Sequence, residues 1–243
     1  MNFTYASYRE LLSLLRERGY AFRGYHDYGD APRCVILRHD IDTCLDRAVK
    51  LAELEAEEGV SSAYFVLLRT DFYNAFSKAG KEALDRIRSL GHEIGLHFDE
   101  ASYVPALEPD GVVQSIIKEC GLLSTFLETP VSSVSMHRPS RTTLEADYAI
   151  PGIVNSYGKT FFRDFKYLSD SRRRWREPVL DIICSRKYDQ LHILTHAFWY
   201  HDEEEDIAQT VGTFIRSANR ERRRQMAENI TDLESIVKRE DVL

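Results

Sequence analysis

The chain has no CxxC pair. Its four cysteines, Cys34, Cys44, Cys120 and Cys184, are scattered, which excludes a disulfide framework and a structural zinc knot. No apolar run is long enough to cross a bilayer, so no membrane span is expected. The opening residues MNFTYASYRE lack the basic start and apolar stretch of a secretory signal. A cytoplasmic protein is the default expectation. A basic excess is missing too. The formal net charge is −7, which argues against nucleic acid as the main partner, because phosphate binding needs a basic face. The arginine-rich runs 172–174 and 220–224 have acidic neighbours and read as solvated faces. A scaffold or nucleic-acid role built on the basic C-terminal helix is accordingly the weakest reading. Internal repeats, low-complexity segments and a glycine-rich phosphate loop are also absent.

What remains is ordinary for a soluble globular protein: 43% hydrophobic and 29% charged residues over 243 positions. That length buries a full core without covalent staples, and one domain spanning 1–243 is expected. Helical periodicity covers residues 5–18, 43–58 (with Thr43 as cap), 81–90, 111–128 and 178–184. Strand patterns cover 34–42, 62–68, 92–98, 131–136, 165–168 and 191–197. One long helix follows from about 203 to 238, with a break near Asn229. Alternation of strand and helix predicts a parallel α/β fold with right-handed crossovers. Without a phosphate loop, a barrel is favoured over a dinucleotide-binding sheet, and function should gather at the carboxyl ends of the strands.

Polar clusters fall at those ends. The stretch Val35-Ile-Leu-Arg-His-Asp-Ile-Asp42 runs from apolar strand into two aspartates. Side chains alternate along a strand, so Asp40 and Asp42 share one face and His39 takes the other. Two carboxylates there repel one another unless a cation relieves them; alone, the pair reads better as a solvated strand end. His97 ends the next polar strand. His92 and His97 are five residues apart, which is wrong for a zinc-protease helix needing four. His97 is therefore the candidate ligand and His92 is structural. Asp42 with His97 makes a mixed pair suited to a zinc-type ion. Arg138, before Pro139, would if buried pair with a carboxylate and keep it ionised; a surface arginine is the equal alternative. His196 suits proton donation near neutral pH. Trp199, beside Phe198 and Tyr200, would wall a sugar pocket or simply pack.

These clusters, in this order, resemble the polysaccharide deacetylases, the NodB-homology group of family 4 carbohydrate esterases, over roughly residues 34–200. The resemblance rests on Arg38-His-Asp-Ile-Asp42, on Gly91-His-Glu-Ile-Gly-Leu-His97, on Arg138-Pro139 and on Ile193-Leu-Thr-His196. It implies a distorted (β/α) barrel of about seven strands with an N-terminal helix and a long C-terminal helix. It implies Asp40 as base, Asp42 and His97 as metal ligands and His196 as acid. Ser169-Asp170-Ser171 with Trp175 is similar to a further motif and puts Asp170 near substrate. A backbone N–H near Tyr64 or Phe65 would hold the oxyanion. Where the family places another ligand histidine, this chain has Ala101; His137 is the first candidate to replace it, with Glu100 and Asp99 as fallbacks. The resemblance implies a divalent metal, zinc first and nickel or cobalt next. It also implies removal of an acyl group from an N-acylated sugar, glycan or sugar nucleotide in surface-polysaccharide metabolism. The alternative is an inactive barrel that binds such a ligand. Oligomeric state stays open, a homo-oligomer included.

Overall fold

A computed structural model describes residues 1–238; the last five residues of the expected 1–243 domain lie outside the described residues. The chain forms two compact units, Met1–Asp202 and the segment from Glu203 onward. The first holds strands β1 (Ala21–Phe22), β2 (Cys34–Ile41), β3 (Ala63–Leu67), β4 (Glu93–Phe98), β5 (Ser133–Met136), β6 (Val154–Asn155), β7 (Lys166–Ser169) and β8 (Gln190–Thr195). Its helices are α1 (Tyr5–Glu17), α2 (Leu45–Glu57), α3 (Lys78–Ser89), α4 (Pro109–Leu127), α5 (Arg141–Ala146) and α6 (Val179–Ser185). The strands run in the order β6-β5-β4-β3-β2-β8-β7, with β1 against the start of β2. All these pairings are parallel. The sheet curls into a half-barrel with flanking helices, the distorted (β/α) barrel that the alternating pattern predicts.

Burial explains the strand choices. Every residue of β2 and of β3 is buried, as near-continuous apolar strands covered on both faces should be. Alternation then sorts their side chains. Cys34, Ile36, Ala63 and Phe65 face inward and meet Tyr25, Phe161 and Phe165. Val35, Leu37, Tyr64 and Val66 join the larger cluster, which includes Leu11, Leu12, Leu51 and Leu54 of α1 and α2. A buried polar knot sits in this outer layer. The Glu55 carboxylate accepts from the hydroxyls of Tyr8 (2.6 Å), Ser62 (2.5 Å) and Tyr64 (2.7 Å) and bonds His39 Nε2 at 2.9 Å. His92 bonds Ser62 and the Ala52 carbonyl, the structural role expected of it.

Two helix starts and three short elements differ from the sequence expectation. α2 is capped by Cys44, not Thr43, whose buried hydroxyl has no partner among the described residues. α3 begins at Lys78 because the Ser77 side chain accepts from the Gly80 N–H. The short β1, α5 and β6 were not anticipated. In the second unit, α7 (Ile207–Asn229) opens with an Asp206–Gln209 capping box and stops at Asn229, before the short α8 (Leu233–Ile236). The break falls where it was expected.

Candidate metal centre

The inward face of β2 continues past its apolar part. After Cys34 and Ile36 come Arg38 and Asp40, both nearly inaccessible. Arg38 grips Asp40 with two parallel hydrogen bonds, Nε to Oδ1 at 2.9 Å and Nη2 to Oδ2 at 2.6 Å. Rings of Tyr157 and Phe65 lie 4.6 and 5.6 Å from the guanidinium carbon. Burial alone would push the Asp40 carboxyl up. The Arg38 charge, helped by His97, outweighs it and holds the group at about 2. Asp40 is therefore ionised at any working pH.

Ser135 of β5 ties this pair to the neighbouring strand. Its Oγ contacts Arg38 Nη2, Asp40 Oδ1 (3.1 Å) and His97 Nδ1 (2.9 Å). A hydroxyl has one proton and two lone pairs. Arg38 can only donate and ionised Asp40 can only accept, so the Ser135 proton goes to Asp40. His97 Nδ1 must then carry a hydrogen and donate it, which leaves the Nε2 lone pair free. That lone pair points at the open layer above.

The open layer holds Asp42, His97 and His137. His97 Nε2 lies 3.1 Å from Asp42 Oδ1 and 3.1 Å from His137 Nδ1, and His137 Nδ1 lies 3.3 Å from Asp42 Oδ1. This is the group of metal-ligating side chains found among the described residues, with all three ligand atoms inside 4.8 Å. Around a tetrahedral ion with bonds near 2.0–2.1 Å, ligand atoms stand roughly 3.3 Å apart. The three separations match a face of that figure, so the residues fit a divalent ion. Burial would raise the Asp42 carboxyl, but the hydrogen bond from His137 and the neighbouring His97 and His196 pull it well below the usual range, so it is a ready anionic ligand. Its side chain is 31% exposed, against 3% for Asp40: ligand above, clamped carboxylate beneath.

Across the opening, His196 follows β8. Its Nδ1 bonds Asp170 Oδ1 at 2.6 Å, and its backbone N–H donates to Asp170 Oδ2 at 3.1 Å. Burial would lower its pKa; the Asp170 charge and hydrogen bond raise it to about 9. At neutral pH it is an imidazolium whose Nε2 lies 3.8 Å from Asp42 Oδ2.

Asp40, Asp42, His97, His137 and His196 thus converge at the strand ends as expected. Three other expectations are corrected. Arg138 does not reach Asp40: its side chain is 72% exposed and bonds Asp99 at 3.1 Å. The left-handed backbone at Arg138, φ 45°, turns the side chain out just after His137 turns in. Arg38 does the pairing instead. Tyr64 lies in the outer layer on Glu55, and with Phe65 it sits mid-ladder between β2 and β4, so neither offers a free N–H for an oxyanion. Asp170 is fully buried and orients His196 without meeting substrate. Trp199 is half-buried against the core and the Phe198 ring. Of the fallback ligands, Asp99 pairs with Arg138 and the Ala101 N–H. Glu100 bonds Ser140 and Thr143 at the start of α5. Arg38 and Ser135 were missed, yet Arg38 shares the parity of Asp40 and Asp42, a signal present in the sequence.

A cavity of about 300 Å³ opens beside the cluster, lined by Asp42, His137, Arg69, Phe72 and Arg138 among others. A larger one, about 520 Å³, lies around Gly91, His92 and Pro130 at the opposite end of the strands; its walls contain no such ligand cluster.

No protein-family model matches the sequence, and no curated protein matches it. Solved structures do. A family 4 carbohydrate esterase (CE4) of Streptococcus mutans superposes with a TM-score of 0.51 at 17% identity, over 82% of this chain and 85% of that one. The chain has the NodB-like polysaccharide deacetylase fold. This NodB-like barrel is also similar to a family 4 carbohydrate esterase from Bacillus anthracis (17% identity, TM-score 0.45, 86% of this chain and 85% of that). A peptidoglycan deacetylase from Bacillus subtilis superposes at 13% identity and TM-score 0.45, over 80% of this chain and 98% of that.

Proposed function

We propose that the chain is a metal-dependent hydrolase that removes an acetyl or related acyl group from an N-acylated sugar or glycan, in surface-polysaccharide biosynthesis. One observation carries the reading: ligand set, ionised carboxylate and imidazolium meet at one opening on a NodB-like barrel. Asp42, His97 and His137 would hold the ion, zinc first, nickel or cobalt next. Such an ion, when bound, polarises the acyl carbonyl and lowers the pKa of water.

The chain's own residues supply the proton traffic. Asp40, kept ionised by Arg38, takes the proton of the attacking water. His196, kept protonated by Asp170, gives its Nε2 proton to the leaving nitrogen as the C–N bond breaks. One proton enters and one leaves, so the step is balanced. Ser135 fixes the His97 tautomer throughout.

Asp40→Asn is expected to abolish release of acetate from N-acetylated sugars while metal content after dialysis stays at the wild-type level. Turnover persisting in that variant would remove Asp40 from its role. A wild-type protein that binds glycans but holds no metal after dialysis would favour the inactive-barrel alternative.

A further inference from the structure

We propose that the cavity beside the metal centre contains an anion subsite built on Arg69, so that the sugar it takes carries a carboxylate or a phosphate. The inference rests on the hydrolase reading for the sugar beside it, but not for the anion site itself. β3 ends at Leu67, which pairs with His97 of β4. Arg69 therefore stands just past a strand end, next to the metal cluster, and lines the same cavity.

Its guanidinium is held on one edge and one face. Nε donates to Glu119 Oε1 at 2.6 Å, and the guanidinium carbon lies 4.2 Å from the Tyr103 ring centroid. Glu119 is buried in α4 and also accepts from the Tyr103 hydroxyl at 2.6 Å. Among the described residues no second carboxylate pairs with Arg69, and its side chain is 47% exposed. An arginine ordinarily loses side-chain entropy when it binds a ligand; here that ordering is already done by a buried acid and an aromatic ring. A fixed planar fork matches carboxylate or phosphate through two parallel N–H bonds, whereas a hydroxyl uses only one.

The rest of the cavity agrees. Arg138 faces it as well, and Asp99, the acid that would oppose an anion there, is taken up by Arg138 and the Ala101 N–H. The other acids on the wall are Asp71 and Asp42, the latter turned to His97 and His137 in the metal cluster. Phe72, 60% exposed, offers an apolar surface for the C–H face of a sugar ring.

The test is calorimetric binding of the full-length protein to N-acetylglucosamine, its 6-phosphate and N-acetylmuramic acid. At least one charged sugar should bind about tenfold or more tighter than the neutral one; which of them does so separates phosphate from carboxylate. Arg69→Lys, which keeps a cation against Glu119 but removes the fork, should erase most of that preference and leave neutral-sugar affinity unchanged. The double variant Arg69→Gln/Glu119→Gln, which leaves no buried acid unpaired, should do the same. Equal affinity for charged and neutral sugars, no binding of any of the three, or a preference that survives both variants because the anion sits on the metal would overturn the proposal. Binding is read without hydrolysis, so loss of the anion preference is distinguishable from absence of deacetylase activity.

Discussion

Ser135 commits all three of its hydrogen-bonding positions, to Arg38, Asp40 and His97. Groups that orient a ligand histidine in this way typically change metal affinity by about 10–100-fold. Ser135→Ala should therefore weaken zinc binding by about that factor in a chelator competition, and Ser135→Thr should restore most of it. Arg38 makes a second point at this scale. It pairs with Asp40 at side-chain exposures of 0% and 3%, so Arg38→Met leaves a buried charge without a partner and should cost about 3–5 kcal/mol in urea unfolding. Arg138→Ala breaks a largely exposed pair and should cost less than about 1 kcal/mol. Position before a proline points to Arg138; strand parity, which puts Arg38 on the face of Asp40, is the signal the structure follows. Ser135 carried no comparable sign, since a serine in a strand is ordinary until its neighbours across the sheet are known.

At the scale of elements, the segment Gly91-His-Glu-Ile-Gly-Leu-His97 was the most legible. Each position has its own physical reason. Gly91, at φ 91°, ends α3 in a left-handed conformation that suits glycine. His92 faces the outer layer and His97 the site, because five residues along a strand reverse the face. Gly95 makes room: a Cβ there would stand 2.4 Å from the Phe65 ring and 2.6 Å from Ser133 Oγ. Gly95→Ala should thus overpack the barrel interior and cost about 1–3 kcal/mol, measured as a shift in the urea midpoint. Long elements were visible through periodicity, whereas β1 and β6 span two residues each, too few to show any period. The third ligand position showed in the sequence as a gap at Ala101, with His137 as the first candidate to fill it. His137, leaving β5 beside Phe98, fills the cluster.

For the whole molecule, acid sensitivity follows from a histidine inside the barrel. His192 is fully buried on β8. Its Nδ1 meets the Phe161 carbonyl at 3.0 Å and its Nε2 the Tyr25 hydroxyl at 2.8 Å. A carbonyl only accepts, so Nδ1 carries the hydrogen, and neutral Nε2 accepts from Tyr25. Burial first, then the Arg38 charge, lowers its pKa to about 3. Between pH 6.5 and about 3 the unfolded chain binds this proton and the folded one does not. Its contribution to stability is therefore complete above the unfolded value and falls as pH drops through that window, by up to about 1.4 kcal/mol per pH unit. Urea midpoints taken across the window should show this slope, and a flat profile would contradict it. The barrel as such followed from alternation of strand and helix, but its aromatic filling followed only in part: Phe165 opens an expected strand, whereas Tyr25 and Phe161 lie in stretches that no periodicity marks.

The open seam of this half-barrel has a consequence for association. A sheet that does not close leaves two rims of unpaired main chain, ready templates for a foreign strand. Here the rims are β6, of two residues, and β7, of four. The stretch joining them winds as a five-residue π-turn, Thr160–Asp164, whose Phe161 ring enters the interior. An invading strand would find too little backbone to grip on either side. The fold resists sheet-to-sheet aggregation by keeping its free borders short, and it needs no eighth rung in the ring to do so.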